Sequence, residues 1–172
     1  MEVAQPNPEF AETKGMPGWF NVEQMTDRQI LTLNRALADA AEENHWLHER
    51  EADVVSDLCN GMLAGLSDDL KVLAQKDPAR VRGIVAQCME SPHTGDGDLA
   101  VIVAPALASY DWEFTRDALI HPLHDKREDD SEVWELAIGV IYDFEKELQQ
   151  REPERVADLR AHIARLEELR GY

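Results

Sequence analysis

The chain is 172 residues long, 44% hydrophobic, and carries 35 acidic against 17 basic side chains for a formal charge of −18. That much apolar material excludes a disordered polymer and suffices for a core. The charge argues against direct binding to DNA, RNA or an anionic membrane, since every phosphate contact needs a cation.

Met1 to Gly18 holds Pro6, Pro8, Gly15 and Pro17 with little periodicity, and reads as an irregular arm over residues 1–25. It has acids and prolines where a signal peptide would have a basic start and an apolar run. The longest apolar run, Leu99 to Ala108, is about half of what a bilayer span needs, so a cytoplasmic location is expected. Trp19, Phe20, Val22 and Met25 then form an apolar group suited to stapling the arm onto a core.

Thr26-Asp27-Arg28-Gln29 is a capping box. Behind it, Ile30, Leu33, Leu37, Ala41, Leu47, Val55, Leu58 and Met62 recur at helical spacing. No proline interrupts them, which predicts one long spine helix over 26–66, weakened at Gly61 and Gly65. Ser67 is placed to cap a short helix through Gln75, and Asp77-Pro78 to start another through Glu90. Ser91 to Gly97 reads as the clearest loop. Asp98 caps the segment Leu99 to Ala108, expected as a buried helix kinked by Pro105. Asp111 begins a helix to about Ile120, stopped by Pro122. Ser131 to Gln150 is amphipathic, with Val133, Leu136, Ala137, Val140, Ile141 and Phe144 inward. Pro153 opens a final helix to residue 170. The expected fold is all-α: a single helical domain over 26–172, with a spine, a helical lobe over 67–150 and a C-terminal helix. Cys59 and Cys88 lack metal spacing and read as buried thiols of a reducing compartment.

Leu73-x-x-x-Asp77, then Val81-Arg82 and Ile84-Val85, is echoed 34 residues later by Leu107-x-x-x-Asp111, then Phe114, Arg116 and Ala118-Leu119. Asp130, Val133 and Ala137-Ile138 fit the same frame at another distance. Over Leu70 to Gln150 the pattern resembles HEAT-type helical repeats, which implies a right-handed stack of helix pairs as the alternative to a bundle.

Reaction chemistry finds little support. Glu42-x-x-His45 has the spacing of a di-iron carboxylate element, but a second copy on a well-formed helix is missing. His121-Pro-Leu-His124-Asp125 resembles the metal-binding step of HD-type phosphohydrolases, with His93 and Asp143 as nominal further ligands. A polar helix end with histidines near the negative end of the dipole explains it more simply. Glu132, Glu135 and Asp143 have a spacing found in Mg²⁺ sites and equally on exposed helix faces. Phosphate-cradling glycine loops and nucleophile elbows are lacking. We therefore expect no metal or cofactor, and binding rather than catalysis, with a metal-dependent phosphohydrolase using His121, His124 and Asp125 as a further alternative.

Charge is more telling. Met1 to Asp57 carries twelve acids against four bases, Asp111 to Glu147 repeats that ratio, and Pro153 to Tyr172 is balanced at four and four. Asp39, Glu42, Glu43, Glu49, Asp53 and Asp57 have few bases at pairing distance along a helix. Glu128, Asp129, Asp130, Glu132 and Glu135 form a second cluster. Rows of carboxylates on a rigid helix imitate a phosphate backbone. In charge and size the chain resembles DNA-mimic inhibitors, among them anti-restriction, anti-CRISPR and nuclease-immunity proteins, which implies a basic protein partner such as a nuclease. The near-heptad Val156, Leu159, Ile163, Leu166 and Leu169 mark a second expectation, a homodimer or assembly subunit joined through the last helix.

Overall fold

A computed structural model of the chain describes residues 20–44, 47–124 and 131–170, with backbone placement alone at 131–133 and 169–170. Among the described residues there are seven α-helices: α1 (Asp27–Glu42), α2 (Glu49–Lys76), α3 (Pro78–Glu90), α4 (Thr94–Val103), α5 (Trp112–His124), α6 (Ser131–Arg151) and α7 (Pro153–Arg170). Two 3-10 turns, Val22–Gln24 and Ala104–Leu107, complete the order. No strand occurs among them, so the fold is all-α as expected. No helix among the described residues is long and apolar enough to cross a membrane. The chain divides into two compact units, Met1–Ile84 and Val85–Tyr172, and the division falls inside α3.

The single spine helix is not there. α1 ends at Glu42, and Glu43 leaves the helical region with φ −97° and ψ 68°. Asn44 then donates its side-chain amide to Ala41 O at 3.3 Å and Ala52 O at 3.2 Å, joining the end of α1 to the beginning of α2. The two helices fold back as an antiparallel hairpin, the most extensive helix contact in the first unit. A lone rod would leave its apolar stripe in water. Folding back buries Ile30, Leu31 and Leu37 on α1 and Leu66, Leu70 and Leu73 on α2, each worth about 1.5–3 kcal/mol if fully removed from water.

α2 also outlasts the stops expected at Gly61, Gly65 and Ser67. The Ser67 hydroxyl donates to Leu63 O at 3.0 Å within the helix instead of capping a new one. Gly65 lies beneath the Phe20 ring, 3.8 Å from where a β-carbon would stand. Phe20 is thus stapled to α2, and its N–H donates to Asp69 Oδ2 at 2.7 Å. Val22 is buried beside it in sequence, and Val22–Gln24 of the predicted irregular arm form a 3-10 turn, while residues 1–19 lie outside the described residues.

The capping box closes α1 as read: Gln29 N–H donates to Thr26 Oγ1 at 3.1 Å, and Thr26 N–H donates to Gln29 Oε1 at 2.9 Å. Asp77 caps α3 by accepting from Arg80 N at 3.3 Å. Arg80 then reaches back to the start of α1. Its Nε donates to Asp27 Oδ1 at 3.0 Å, Nη1 to Val22 O at 3.2 Å, and Nη2 to Met25 O.

In the second unit α4 begins four residues before the expected cap Asp98. His93 Nδ1 accepts from Gly95 N at 3.0 Å and starts the helix at Thr94, so the expected loop shrinks. Pro105 converts the end of this buried segment into a 3-10 turn. α5 runs past Pro122 to His124. A proline so near the end removes one backbone hydrogen bond, and the last turn still buries Leu123. α6 contacts α4, α5 and α7, and α5 contacts α4 and α7. Helices in a repeat stack meet only their neighbours; these close into a bundle, the other arm of the expectation. Ala137, Ile141, Phe144 and Leu148 of α6 and Val156 and Leu159 of α7 fill its core.

A polar latch ties α5 to α7. Asp158 Oδ2 accepts from Trp112 Nε1 at 2.8 Å and from Arg116 Nη1 at 3.0 Å. Arg155 Nη1 donates to Ala108 O at 2.9 Å, with its guanidinium 5.1 Å from the Trp112 ring centroid.

Two outcomes test these ties. Arg80→Met keeps most of the stem but loses every donor, and should destabilise the protein by about 1–3 kcal/mol in urea unfolding. The Trp112 indole N–H first, then the Arg116 guanidinium, hold the Asp158 carboxyl below its ordinary range. A depressed folded value stabilises above the unfolded pKa of about 3.9 and loses that contribution as pH falls through the folded value. Asp158→Asn should therefore flatten the acid side of the stability–pH curve, measured by chemical denaturation from neutral pH downward.

Candidate functional site

The feature that sets the first unit apart is the outer surface of its hairpin. Helical rise places Glu49, Asp53 and Asp57 in one line on α2, about 6 Å apart along the axis. All three are exposed, as are Asp39, Glu42 and Glu43 at the end of α1 and Glu51 on α2. Glu42, Glu43, Glu49, Glu51, Asp53 and Asp57 form no ion pair among the described residues. Elsewhere in the same unit several acids are matched: Glu23 with Lys76 at 2.8 Å, Asp27 with Arg80 at 3.0 Å and Asp68 with Lys71 at 3.9 Å. That contact to Lys76 also holds the Glu23 carboxyl below its ordinary range.

The dipole sharpens the contrast. Glu49 and Glu51 stand in the first turn of α2, where the positive helix end favours them. Asp39 and Glu42 stand in the last turn of α1, and Glu43 just beyond it, where the partial charge is negative and acids are disfavoured. Of the cations nearby in sequence, Arg50 is exposed within the acidic row's first turn.

Next to the row lie Val54 and Leu58, both 64% exposed. Leu58 belongs to the apolar series at helical spacing, and Val54 lies outside it. The buried positions Cys59, Leu66, Leu70 and Leu73 define the inner face of α2, and Leu58 falls off it. A second unexpected exposure is on α6, where Trp134, Ile138 and Tyr142 are 44%, 38% and 59% exposed. The signal was present in the sequence: α6 holds more large apolar residues than one face can hide.

Of the second acidic cluster, Glu128, Asp129 and Asp130 lie outside the described residues. Glu132 belongs to the first turn of α6, and Glu135 is exposed. On α7, Val156 and Leu159 are buried in the core of their own unit, whereas Ile163 and Leu166 are half-buried; the Leu169 side chain is outside the described set.

The residues considered for metal chemistry are scattered. His121 and His124 are exposed at the end of α5, Asp143 is exposed on α6, and His93 Nδ1 is engaged in capping α4. Asp125 and His45 lie outside the described residues. No group of three His, Cys, Asp or Glu side chains able to hold a metal occurs among the described residues. Cys59 and Cys88 are both buried. A cleft of about 110 Å³ beside Phe20, Asp69 and Leu73 is well under the roughly 300 Å³ at which small-molecule sites begin.

No family model matches the chain, and no curated protein or solved structure is significantly similar to it.

If the acidic row is held against its own repulsion, Asp53→Lys should raise stability at low salt by about 0.5–1 kcal/mol through its i,i±4 neighbours. The gain should vanish in molar salt, which chemical denaturation at two salt concentrations would check.

Proposed function

We propose that the protein is a non-enzymatic, acidic interaction protein whose α1–α2 hairpin docks on a basic protein. The observation that supports this reading is the line Glu49, Asp53, Asp57 with Glu42 and Glu43 at the tip, exposed and without ion pairs among the described residues. Uncompensated like charges on one rigid element lower stability, and a cationic surface relieves that repulsion on contact. Charges several ångströms apart along a rod match a groove built for a phosphate backbone. The target class we infer is therefore a nuclease or another nucleic-acid-acting protein, blocked by occupation of its groove. Val54 and Leu58 add apolar contact beside the carboxylates, something a phosphate backbone does not offer, and so favour a protein-specific grip over charge alone.

The test starts with tagged protein used to capture partners from a native lysate at low salt, followed by elution in a salt gradient. A basic nucleic-acid enzyme bound stoichiometrically is the expected result, with its activity inhibited. Glu42→Lys, Glu43→Lys and Glu49→Lys combined should weaken the purified pair by about a hundredfold. Affinity indifferent both to salt and to these reversals overturns the reading.

A further inference from the structure

We propose that the exposed stripe of α6 is a self-association surface, on which two copies of this chain pair antiparallel about Ile138. The argument begins with the helix itself. α6 spends one face on Ala137, Ile141, Phe144 and Leu148, all buried. Beside that face Trp134, Ile138 and Tyr142 follow at i, i+4 and i+8, so that three large side chains line about 12 Å of helix. Each remains at least 38% exposed. Trp and Tyr are the residue types that most often anchor interfaces, and a contiguous apolar line on a helix that already has a buried face is the mark of a contact surface.

The composition of the stripe selects the occupant. It is symmetric about Ile138, with one aromatic residue four positions before and another four positions after. A two-fold axis through Ile138 sets each Trp134 beside the other copy's Tyr142, an aromatic pairing worth more than area alone. A parallel arrangement would pair like with like.

Charge points the same way. Lys146 stands at the Tyr142 end, with its Nζ 4.1 Å from the ring centroid, and exposed Glu135 flanks the Trp134 end. Antiparallel pairing carries each lysine toward the other copy's glutamate. Gly139 lies on the same flank, between them in sequence, with nothing within 4 Å of where its β-carbon would be. That leaves room for a close approach. The order Trp134, Ile138, Tyr142, which is complementary to itself when reversed, is why this surface is assigned to a second copy.

Because each copy carries a net charge of −18, repulsion opposes pairing and added salt strengthens it. Hairpin docking has the reverse salt dependence, so the two proposals stand or fall separately.

Sedimentation of the full chain from low micromolar to sub-millimolar concentration, at low and high salt, reads the association. A monomer–dimer equilibrium that tightens with salt is expected. Ile138→Glu should raise the dissociation constant by about thirtyfold or more, with helix content unchanged. As a second readout, Ile138→Cys should cross-link to itself under mild oxidation, since the axis passes through that position. A wild-type chain that stays monomeric throughout overturns the proposal. So does a dimer indifferent to Ile138→Glu, or one in which Ile138→Cys fails to cross-link.

Discussion

A shortage of cations governs this molecule. With 17 basic side chains set against 35 acidic ones, where each guanidinium or ammonium is placed decides which acids become structure and which remain surface. In the first unit Arg80 and Lys76 gather at the start of the hairpin, holding the carbonyls of Val22 and Met25 and the carboxylates of Asp27 and Glu23. In the second, Arg116 and Arg155 lock onto Asp158, Ala108 O and the Trp112 ring, and Arg160 lies 3.3 Å from Glu145. Arg80, Arg116 and Arg155 are planar donors bridging several partners at once, the geometry for which arginine is better suited than lysine.

At the far end of the hairpin, Glu42, Glu43, Glu49, Glu51, Asp53 and Asp57 form no ion pair among the described residues. Its acids lie on a surface whose helix ends favour some of them and oppose others. Nothing in the packing of α1 against α2 requires carboxylates at Glu42, Glu43, Asp53 or Asp57, since the inner face is supplied by leucines and Ile30. Features that lower stability without serving the fold are where function is sought first. Long-range charge would bring a cationic partner in quickly, and the adjacent Val54 and Leu58 would slow its departure. The stripe on α6 has the opposite character: it is apolar at its centre, charged only at its ends, and self-complementary.

Much of the local grammar was legible. The Thr26–Gln29 capping box, the Asp77-Pro78 start, the Asp111 start and the spans of α6 and α7 agree with the structure to within a residue or two. Of the hairpin acids the structure shows exposure: Asp39, Glu42, Glu43, Glu49, Asp53 and Asp57 all lie at the surface. Glycine and proline proved weaker than burial. Gly61, Gly65 and Pro122 each cost a helix little where burial of Leu66, Leu70 and Leu123 repays it. Conversely the rod stopped at Glu43-Asn44, which contains neither glycine nor proline. Leu58 shares the apolar series of α2 yet is exposed, because the spacing of apolar residues does not say which edge of a stripe will meet a neighbour.

The sequence by itself determined that the chain is helical, where most helices begin, and that acid would dominate its surface. Those properties depend on residues within a turn or two of one another: caps, i to i+4 spacing and charge count. Only the tertiary structure decided that the expected spine is a hairpin, that the second unit closes as a bundle, and which of two apolar stripes on α6 is left outside. Each of those turns on contacts between residues distant in sequence. An example is Arg80, whose one guanidinium can hold Asp27 and the carbonyls of Val22 and Met25 only once the hairpin has brought the start of α3 back to the start of α1.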